Sequence, residues 1–526
     1  MPTTEHHHAH VLLTGSSLPA CCRPQLAPDA PASPSPRSAS QLLLTEVLRL
    51  DASSELSYLA WKCASSSPAS SSKQHATLHT QWFRQRHVAL VHPLASSAVS
   101  SSSHGAFDAQ FERDNPLVAL WASDSAAFGR FTLAKQRIPV GQRAFQASAF
   151  AAVVSQRLAA RRCHWCFAVL RKKALQCGAC QFSRYCSHEC LDSDAPLHAL
   201  QCDSLLTLRS GGFSDDVGDV ETVRLALAVL AMEQFVQNAT ALTSLVTRRR
   251  RDGNEIDDRK AVQLLVDTMD GQLDRRHVQQ TLERVRGNAH PLYLDGVACV
   301  GSGVFPEAAM ALNHSCRPNV TPSFDPRART LAFHAVADIP RGHAVECAYI
   351  ELFQTRKRRQ TLLSTGFGFD CVCQRCTQED TKQREEASEE EEEAQAMERL
   401  MRLVEAGGNE ATQQLARVTG EYKAVFQRSE EAQFALHTAE MRLAGVRGDW
   451  TRVIEAADTL LGLWAHCGLP DSYPTTETLH QQIYWAAQQA GMSERTKVAA
   501  QRVAEIRRVC GYPHPDIPVA LDREGP

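Results

Sequence analysis

The sequence predicts an α+β fold that contains a compact zinc-binding module and ends in a helical region. Residues 129–154 and about 292–350 are rich in β-branched and aromatic residues interrupted by Gly and Pro, a pattern typical of short strands and turns. Residues 163–202 lie between these stretches and hold closely spaced Cys and His residues. Beyond residue 395 the apolar residues recur with helical spacing. We therefore expect several domains in one chain.

Composition and charge exclude some classes of function. Lys+Arg 56 and Asp+Glu 59 nearly cancel, so no overall field favours nucleic acid or a membrane surface. We find no apolar run long enough to span a bilayer and no secretory leader pattern, and we expect an intracellular protein, cytoplasmic and nuclear. In that setting, 18 Cys favour metal binding over disulfides.

Residues 1–114 are predicted to be a mostly disordered extension. They are rich in Ser, Ala and Pro, a composition that buries too little apolar surface to offset chain entropy. Two short segments, QLLLTEVLRL and TQWFRQRHVALV, are exceptions. Either they dock on the rest of the protein or they form isolated helices.

Three later segments are predicted from their composition and periodicity. Residues 219–236 are apolar without Gly or Pro, which indicates a buried helix. The acidic run 385–395 indicates a flexible or helical spacer. Residues 396–526 are predicted to form antiparallel helix pairs of tetratricopeptide (TPR) type. Two apolar stripes support these pairs: Val453, Ala456, Ala457, Leu460, Leu461 and Trp464, then Leu479, Ile483, Ala487 and Ala490.

Eight candidate ligands within residues 163–202 predict two zinc sites. Their spacing is C-x2-C-x10-C-x2-C-x5-C-x3-C-x7-H-x3-C, and two-residue gaps let both thiolates of a pair reach one tetrahedral zinc. In so small a module, metal binding supplies much of the folding energy. The candidate ligands are Cys163, Cys166, Cys177, Cys180, Cys186, Cys190, His198 and Cys202.

A second cluster predicts a third zinc site. Cys371, Cys373 and Cys376 in FDCVCQRC supply three close thiolates, and a tetrahedral site needs a fourth ligand. Cys316 of NHSC is the natural candidate, because its neighbours look buried and functional; Cys347 is the alternative.

The first cluster resembles the MYND zinc finger in order and spacing, including YCSHEC and HALQC. The resemblance implies interleaved pairing, with Cys163, Cys166, Cys186 and Cys190 on one ion and Cys177, Cys180, His198 and Cys202 on the other. The family often binds short Pro-rich peptides. Where it commonly has Asp-Trp, this chain has Asp194 and Ala195. A peptide-binding finger and a purely structural one are therefore both open.

The remaining motifs resemble a SET domain split by the finger. GRFTLAKQRIPVG stands where the opening strand is expected, and NHSCRPN, ECAYIE and FGFDCVCQRC resemble its second half and its post-SET zinc loop. The motif order over residues 115–510 is similar to that of the SET and MYND-domain (SMYD) lysine methyltransferases. The implied domains are an extension (1–114), the first part of SET (115–162), MYND (163–202), a helical insertion (203–290), core SET (291–354), post-SET (355–380), an acidic linker (381–395) and a TPR-like region (396–526).

The resemblance implies a protein-lysine methyltransferase that uses S-adenosylmethionine and three zinc ions. It also implies a role as a chromatin regulator. In the family the NHSC segment passes under the later Tyr-bearing segment in a knot-like crossing. Tyr349 is the expected catalytic channel residue, where it would orient a neutral lysine amine. The expected cofactor-binding residues are Gly129, Arg130, Asn313, His314, Tyr349, Phe367 and Phe369.

Two departures from the family pattern keep a rival function open. Phe131 replaces the usual Gly after the Arg of the opening motif, and Phe367 replaces a Tyr before the post-SET cysteines. The alternative is a catalytically silent adaptor that binds partners through the finger and the helical region. A third hypothesis is a pocket that binds the methyl donor without turnover.

The expected partners follow from the resemblance and from local charge. We expect a monomer that acts on a lysine-bearing histone or non-histone protein, with a Pro-rich peptide as a further ligand of the finger. The basic runs TRRRRDG (247–253) and TRKRRQ (355–360) are predicted to be solvated loop charge. We expect no sequence-specific DNA binding and no membrane association.

Overall fold

The computed structural model describes most of the chain after residue 110. The described residues are 111–122, 130–172, 174–211, 219–237, 242, 245, 258–269, 273–294, 299–380 and 387–512. The predictions for residues 1–110, for Gly129 and for the basic run 247–253 lie outside them.

Short strands form in both of the regions where they were predicted, and further short strands lie before and between these regions. They are β1 (Val118–Ala122), β2 (Arg130–Ala134), β3 (Arg143–Ser148), β4 (Ala151–Val154), β5 (Leu175–Gln176), β6 (Arg184–Tyr185), β7 (Ala289–Tyr293), β8 (Cys299–Val304), β9 (Asn313–His314), β10 (Val320–Asp325), β11 (Thr330–Ala335) and β12 (Glu346–Cys347).

Two three-stranded sheets join the chain on either side of the cysteine-rich module. One has the order β10-β11-β3, and the other has the order β4-β8-β7. In the second sheet Ala151 lies opposite Val304, and β4 is buried along its whole length. The residues before and after the module therefore share one core, whose centre includes Phe145, Phe333 and Phe324.

Glycines in β8 allow the close approach of β4. A Cβ atom added at Gly301 would lie 2.0 Å from the carbonyl oxygen of Val153, and one at Gly303 would lie 2.8 Å from the ring of Phe305. No side chain fits at either position, because the space is already filled. The glycines that looked like breakers in the sequence are thus inside a strand.

The helices of the described residues fall into two groups. The first group lies within or beside the sheets: α1 (His188–Ala199), α2 (Cys202–Ser210), α3 (Val220–Phe235), α4 (Arg259–Thr268), α5 (Arg275–Asn288), α6 (Pro306–Ala311), α7 (Arg356–Phe367) and α8 (Gln374–Asp380). The second group makes the C-terminal region: α9 (Ala387–Ala406), α10 (Gly408–Glu421), α11 (Lys423–Arg428), α12 (Glu430–Arg447), α13 (Trp450–His466), α14 (Pro474–Gln489) and α15 (Ser493–Cys510).

Helix α3 is the buried helix that the apolar segment 219–236 predicted. It begins at the cap Asp219, whose side chain accepts a hydrogen bond from the backbone N–H of Glu221. Its own buried residues, most of them apolar, lie on all of its faces, as expected for a helix inside a core. Arg224 on this helix is also buried, and it donates to the carbonyl oxygen of Val154 at 3.0 Å.

The C-terminal helices bury most of the predicted stripes where successive helices pack together. In α13 the stripe packs around Leu460 and Trp464, and in α14 around Leu479 and Ile483. Ala490 was predicted to belong to the second stripe and is exposed instead, because α14 ends at Gln489 and Ala490 forms its C-cap.

The described part of the predicted acidic spacer is helical. The basic segment after residue 355, predicted to be a loop, is helical as well. Residues 387–395 belong to α9, the helical one of the two alternatives, and Glu392 pairs with Arg428 at 2.9 Å. Residues 356–367 form α7, and Arg359 is fully buried in an ion pair with Glu379. The expectation of solvated loop charge was therefore wrong for Arg359, because a carboxylate and nearby thiolates offset its charge.

The end of α15 packs against β11. At Gly511 a Cβ atom would lie 2.1 Å from Cε1 of His334, and the φ angle of +72° also favours glycine. The helical region therefore contacts the sheet region closely. Among the described residues, every helix is too short or too polar to cross a membrane.

Candidate functional site

Three groups of four ligand atoms could each hold one metal ion. Within each group the atoms all lie within 4.8 Å of one another. The finger's first group is Cys163, Cys166, Cys186 and Cys190; its second group is Cys177, Cys180, His198 and Cys202; and the third group is Cys316, Cys371, Cys373 and Cys376. The structure thus shows the interleaved arrangement and places Cys316, rather than Cys347, with the post-SET cysteines.

The backbone of the finger explains how its ligands converge. After each C-x2-C pair the chain turns through a left-handed residue, Phe167 at φ 59° and Gln181 at φ 52°. Their N–H groups donate to the carbonyl oxygens of Cys163 and Cys177, at 2.9 and 3.0 Å. Helix α1 then brings His198 to the second group, where its Nε2 lies 3.7 Å from the sulfur of Cys180.

The donor sets fit zinc. Cysteine sulfur and imidazole nitrogen in groups of four are the ligands of closed tetrahedral zinc sites. The Cys residues of all three groups are free of disulfides. His198 is oriented by its other ring nitrogen, since Nδ1 lies 3.2 Å from the hydroxyl of Ser183.

The finger is fastened to the sheets by Arg329. Its guanidinium donates to the carbonyl oxygens of Trp165, at 2.9 Å, and Ala152, at 3.4 Å. The same group lies 4.6 Å from the ring centroid of Trp165, within the range of a cation–π contact. One side chain therefore holds a finger residue and a strand of the core together.

The NHSC segment pairs with a distant part of the chain. Helix α6 ends at Ala311, and β9 then runs parallel to β12, with Asn313 opposite Glu346 and His314 opposite Cys347. The backbone N–H of Ser315 extends this pairing by donating to the carbonyl oxygen of Cys347 at 3.0 Å. The run of polar residues after the apolar helix therefore lies where two distant chain segments pair, and we call this place the β9–β12 crossing.

Four predicted site residues come together beside the third metal group. The ring of Tyr349 lies 5.4 Å from His314, 5.0 Å from Phe367 and 6.4 Å from Phe369, measured between centroids. The hydroxyl of Tyr349 donates to the carbonyl oxygen of Leu312. The result is a cluster of aromatic rings next to buried cysteines, which we take as one wall of a candidate pocket.

His314 uses both ring nitrogens within the chain. Nδ1 accepts the backbone N–H of Tyr349 at 2.9 Å, and Nε2 lies 3.2 Å from the sulfur of Cys316. Burial lowers the pKa of His314 to about 4. A cofactor-binding role for His314 would therefore use its backbone rather than its imidazole.

The opening strand meets the same crossing. The side-chain amide of Asn313 donates to the carbonyl oxygen of Arg130 at 3.0 Å, and Arg130 donates to the sulfur of Met310 at 3.2 Å. Phe131 lies opposite Trp121 in the β1–β2 pair, on the face away from the buried Thr132. The bulk of Phe131 is thus not inserted into the core.

Sequence reasoning missed an arginine network around the third metal group. Arg375 donates to the carbonyl oxygens of Leu352, at 2.8 Å, and Cys316, at 3.4 Å, and its Nε donates to Glu379 at 2.9 Å. The guanidinium of Arg359 lies 3.8 Å from the sulfur of Cys376. Positive charge next to four thiolates offsets the negative charge that a zinc site with four cysteine ligands carries. The basic residues next to these cysteines in the sequence were the signal that could have predicted this network.

The chain beyond Tyr349 is anchored in the helical region. Phe353 stacks on Phe434 with centroids 4.0 Å apart, and its centroid lies 6.3 Å from that of Trp464. The carboxylate of Glu431 accepts the backbone N–H of Thr355. The segment that follows Tyr349 is therefore held against the helical region.

Comparisons with known proteins give three similarities. The MYND finger family model matches residues 163–202. N-lysine methyltransferase SMYD2 of Rattus norvegicus is 30% identical over 269 residues, 49% of this chain and 60% of that protein, and SMYD2 of Homo sapiens is 29% identical over 265 residues, 48% and 59%. A crystal structure of the SET domain of LSMT bound to lysine and AdoHcy aligns with 12% identity and a TM-score of 0.24, covering 78% of this chain and 92% of that one.

The chain spans about three fifths of the length of the curated relatives it matches. Within that span the resemblance predicted from the motifs is confirmed: residues 163–202 match the MYND finger family, and about half of the chain is similar to the SMYD2 N-lysine methyltransferases.

Proposed function

We propose that this protein transfers a methyl group from S-adenosylmethionine to a lysine side chain of a protein substrate. The observation that carries this proposal is the convergence of Tyr349, Phe367 and Phe369 at the β9–β12 crossing. The relatives named SMYD2 N-lysine methyltransferase support it. The alternative, a silent adaptor, has no comparable observation in its favour.

Residues at the crossing would hold the methyl donor. Asn313 and the backbone of His314 lie beside Arg130, and Phe369 offers an aromatic face for a purine. When bound, S-adenosylmethionine supplies a methyl group on a positively charged sulfur, which a neutral amine can attack. The protein's part is then alignment and exclusion of water rather than strong base catalysis.

Tyr349 would orient the lysine amine. Its hydroxyl donates to the carbonyl oxygen of Leu312, which directs the phenolic proton away from the pocket and leaves oxygen lone pairs as acceptors. An amine N–H is the matching donor. The rings of Phe367 and Tyr349 border the space around that amine and keep water from it.

The finer architecture is also proposed. A single SET domain interrupted by the finger is supported by β4 pairing with β8 and β3 pairing with β11 across the interruption. A TPR-like region is supported by the successive contacts of α12, α13, α14 and α15. The proposed domain boundaries are those inferred from the sequence.

Partners and location complete the proposal. The substrate would be a lysine-bearing protein, with no sequence-specific DNA, and the protein would act as a monomer in cytoplasm and nucleus. A structural role for the finger is supported over binding of a Pro-rich peptide, because Asp194 accepts the hydroxyl of Tyr185 at 2.8 Å inside the finger.

Methyl transfer by the full chain tests the proposal. Zinc-loaded protein is incubated with radiolabelled S-adenosylmethionine and a protein extract, in parallel with the variant Tyr349→Phe. We expect labelled protein with the parent and a loss of about 100-fold with the variant, as when a reacting group is no longer held in position. Equal labelling by both proteins would overturn the role of Tyr349, and absence of labelling by a parent that binds the methyl donor would favour turnover-free binding.

A further inference from the structure

The imidazole of His314 connects the third metal group to the channel tyrosine. It is 6% exposed and lies between the sulfur of Cys316, 3.2 Å from Nε2, and the backbone nitrogen of Tyr349, 2.9 Å from Nδ1. Cys316 is two residues from His314 in the sequence, and Tyr349 is 35 residues from it. A single side chain thus spans from a metal ligand to the residue proposed to orient the amine.

The two contacts determine which nitrogen carries the proton. The backbone N–H of Tyr349 is a donor, so Nδ1 must offer its lone pair. In a neutral imidazole the proton is then on Nε2, which donates it to the sulfur of Cys316. The opposite tautomer would place two donors against each other at Tyr349.

The contact with Tyr349 lies close to the paired residues of β9 and β12. The last of these pairs is His314 with Cys347, and Tyr349 lies two residues beyond Cys347 in the chain. The imidazole accepts the backbone N–H of Tyr349 and so holds this segment beside the end of β9.

The contact with Cys316 acts on the metal. Cys316 is fully buried, and an N–H donor stabilises a thiolate in such a place. Such outer contacts orient metal ligands, and their loss typically costs about 10–100-fold in metal affinity. Arg359 makes a similar but longer contact with Cys376, at 3.8 Å.

We propose that His314 is a positioning residue that couples retention of the third metal ion to the placement of Tyr349. Its Nε2–H holds the Cys316 thiolate, and its Nδ1 holds the backbone of Tyr349. The effect on methyl transfer rests on the proposed function, whereas the effect on metal retention does not.

Two substitutions separate the two contacts. In His314→Asn the side-chain oxygen can stand near the position of Nδ1 and accept the N–H of Tyr349, but the donor to Cys316 is lost. In His314→Gln the amide nitrogen can reach the position of Nε2 and donate to Cys316, but the acceptor for Tyr349 is lost. His466→Gln is the matched control, because the side chain of His466 is 75% exposed.

Metal retention is measured on the full chain loaded with ¹¹³Cd, which gives one NMR signal for each metal site, during exposure to a chelator. We expect His314→Asn to lose the ion of the third group about 10–100-fold faster, with the finger signals unchanged. We expect His314→Gln to retain that ion like the parent and to lower kcat for methyl transfer with little change in affinity for the methyl donor. Equal metal loss in the two variants, or parent-like loss in His314→Asn, would overturn the proposal.

A measurement on the parent protein covers the case in which the variants do not fold. Long-range ¹H–¹⁵N correlation on ¹⁵N-histidine protein reports the tautomer of His314. A proton on Nε2 with a scalar coupling to ¹¹³Cd supports the bond to Cys316, and a proton on Nδ1 overturns it. Neither result depends on activity, so failure of this inference and failure of the proposed function are distinguishable.

Discussion

Phe353 stacks on Phe434 with ring centroids 4.0 Å apart, and this contact joins the chain just beyond Tyr349 to helix α12. Both rings are more than 90% buried. The helical region therefore holds the segment that follows Tyr349, and it contributes to the order of that segment.

Removal of the Phe353 ring should destabilise this junction. Phe353→Ala leaves a cavity between α12 and α13, and the free energy of unfolding should fall by about 3–5 kcal/mol. Denaturant unfolding of the full chain measures this change. Val446→Ala is the control, because Val446 is exposed, and it should change stability by less than about 0.5 kcal/mol. Similar values for both variants would show that the stacked pair does not support the junction.

A pair of glycines tests the contact between α15 and β11. Gly511 and Gly491 have nearly equal φ angles, +72° and +71°, but only Gly511 has a neighbour, His334, in the way of a Cβ atom. Each change to Ala costs about 1–2 kcal/mol of backbone strain. Gly511→Ala should lower the melting temperature clearly further than Gly491→Ala. An equal decrease would mean that the end of α15 does not approach His334 closely.

The stability of the sheet region should depend on pH through His290, a half-buried histidine of β7. Burial lowers the pKa of His290 to about 4, from an ordinary value of 6.5. Between these values the unfolded chain binds more protons than the folded one, so stability falls as the pH is lowered from about 6.5 towards 4. His290→Gln should make this fall shallower.

Acid also protonates zinc-bound thiolates, so the informative quantity is the difference between variants. His466→Gln, at an exposed position, should keep the parent slope of unfolding free energy against pH between about 6.5 and 4. If the slopes of His290→Gln and His466→Gln coincide, His290 is not the titrating group.

Loss of one thiolate should remove one metal ion of three. Cys373→Ser takes a ligand from the third group, and native mass spectrometry should then show two zinc ions per chain. Cys299→Ser is the control, because Cys299 belongs to none of the three groups and its sulfur instead donates to the carbonyl oxygen of Gly301 at 3.3 Å. Three retained zinc ions in Cys373→Ser would contradict the assignment of the third site.

The parts of the fold and site that local spacing encodes were predictable from the sequence. The C-x2-C pairs and the helical stripes depend on residues close in the chain, so the finger and the helices could be identified directly. The aromatic pocket was placed through family resemblance, since nothing local brings Tyr349 to Phe367.

The remaining features depend on contacts between distant residues. The pairing of β4 with β8 joins segments on either side of the finger, with Ala151 opposite Val304 and Val154 opposite Gly301. The burial of Arg359 depends on Glu379 and on thiolates that only the folded chain brings near. The double contact of His314 likewise exists only at the crossing.

Titration calorimetry of S-adenosylmethionine into the full, zinc-loaded chain tests the central claim most directly, because it requires no knowledge of the substrate. The variant Asn313→Ala is measured in parallel, since the amide of Asn313 ties the opening strand to the crossing. We predict saturable binding with one molecule per chain, weakened at least tenfold in the variant. Absence of binding to folded, zinc-loaded parent protein would contradict the methyltransferase proposal and leave the adaptor as the function to test.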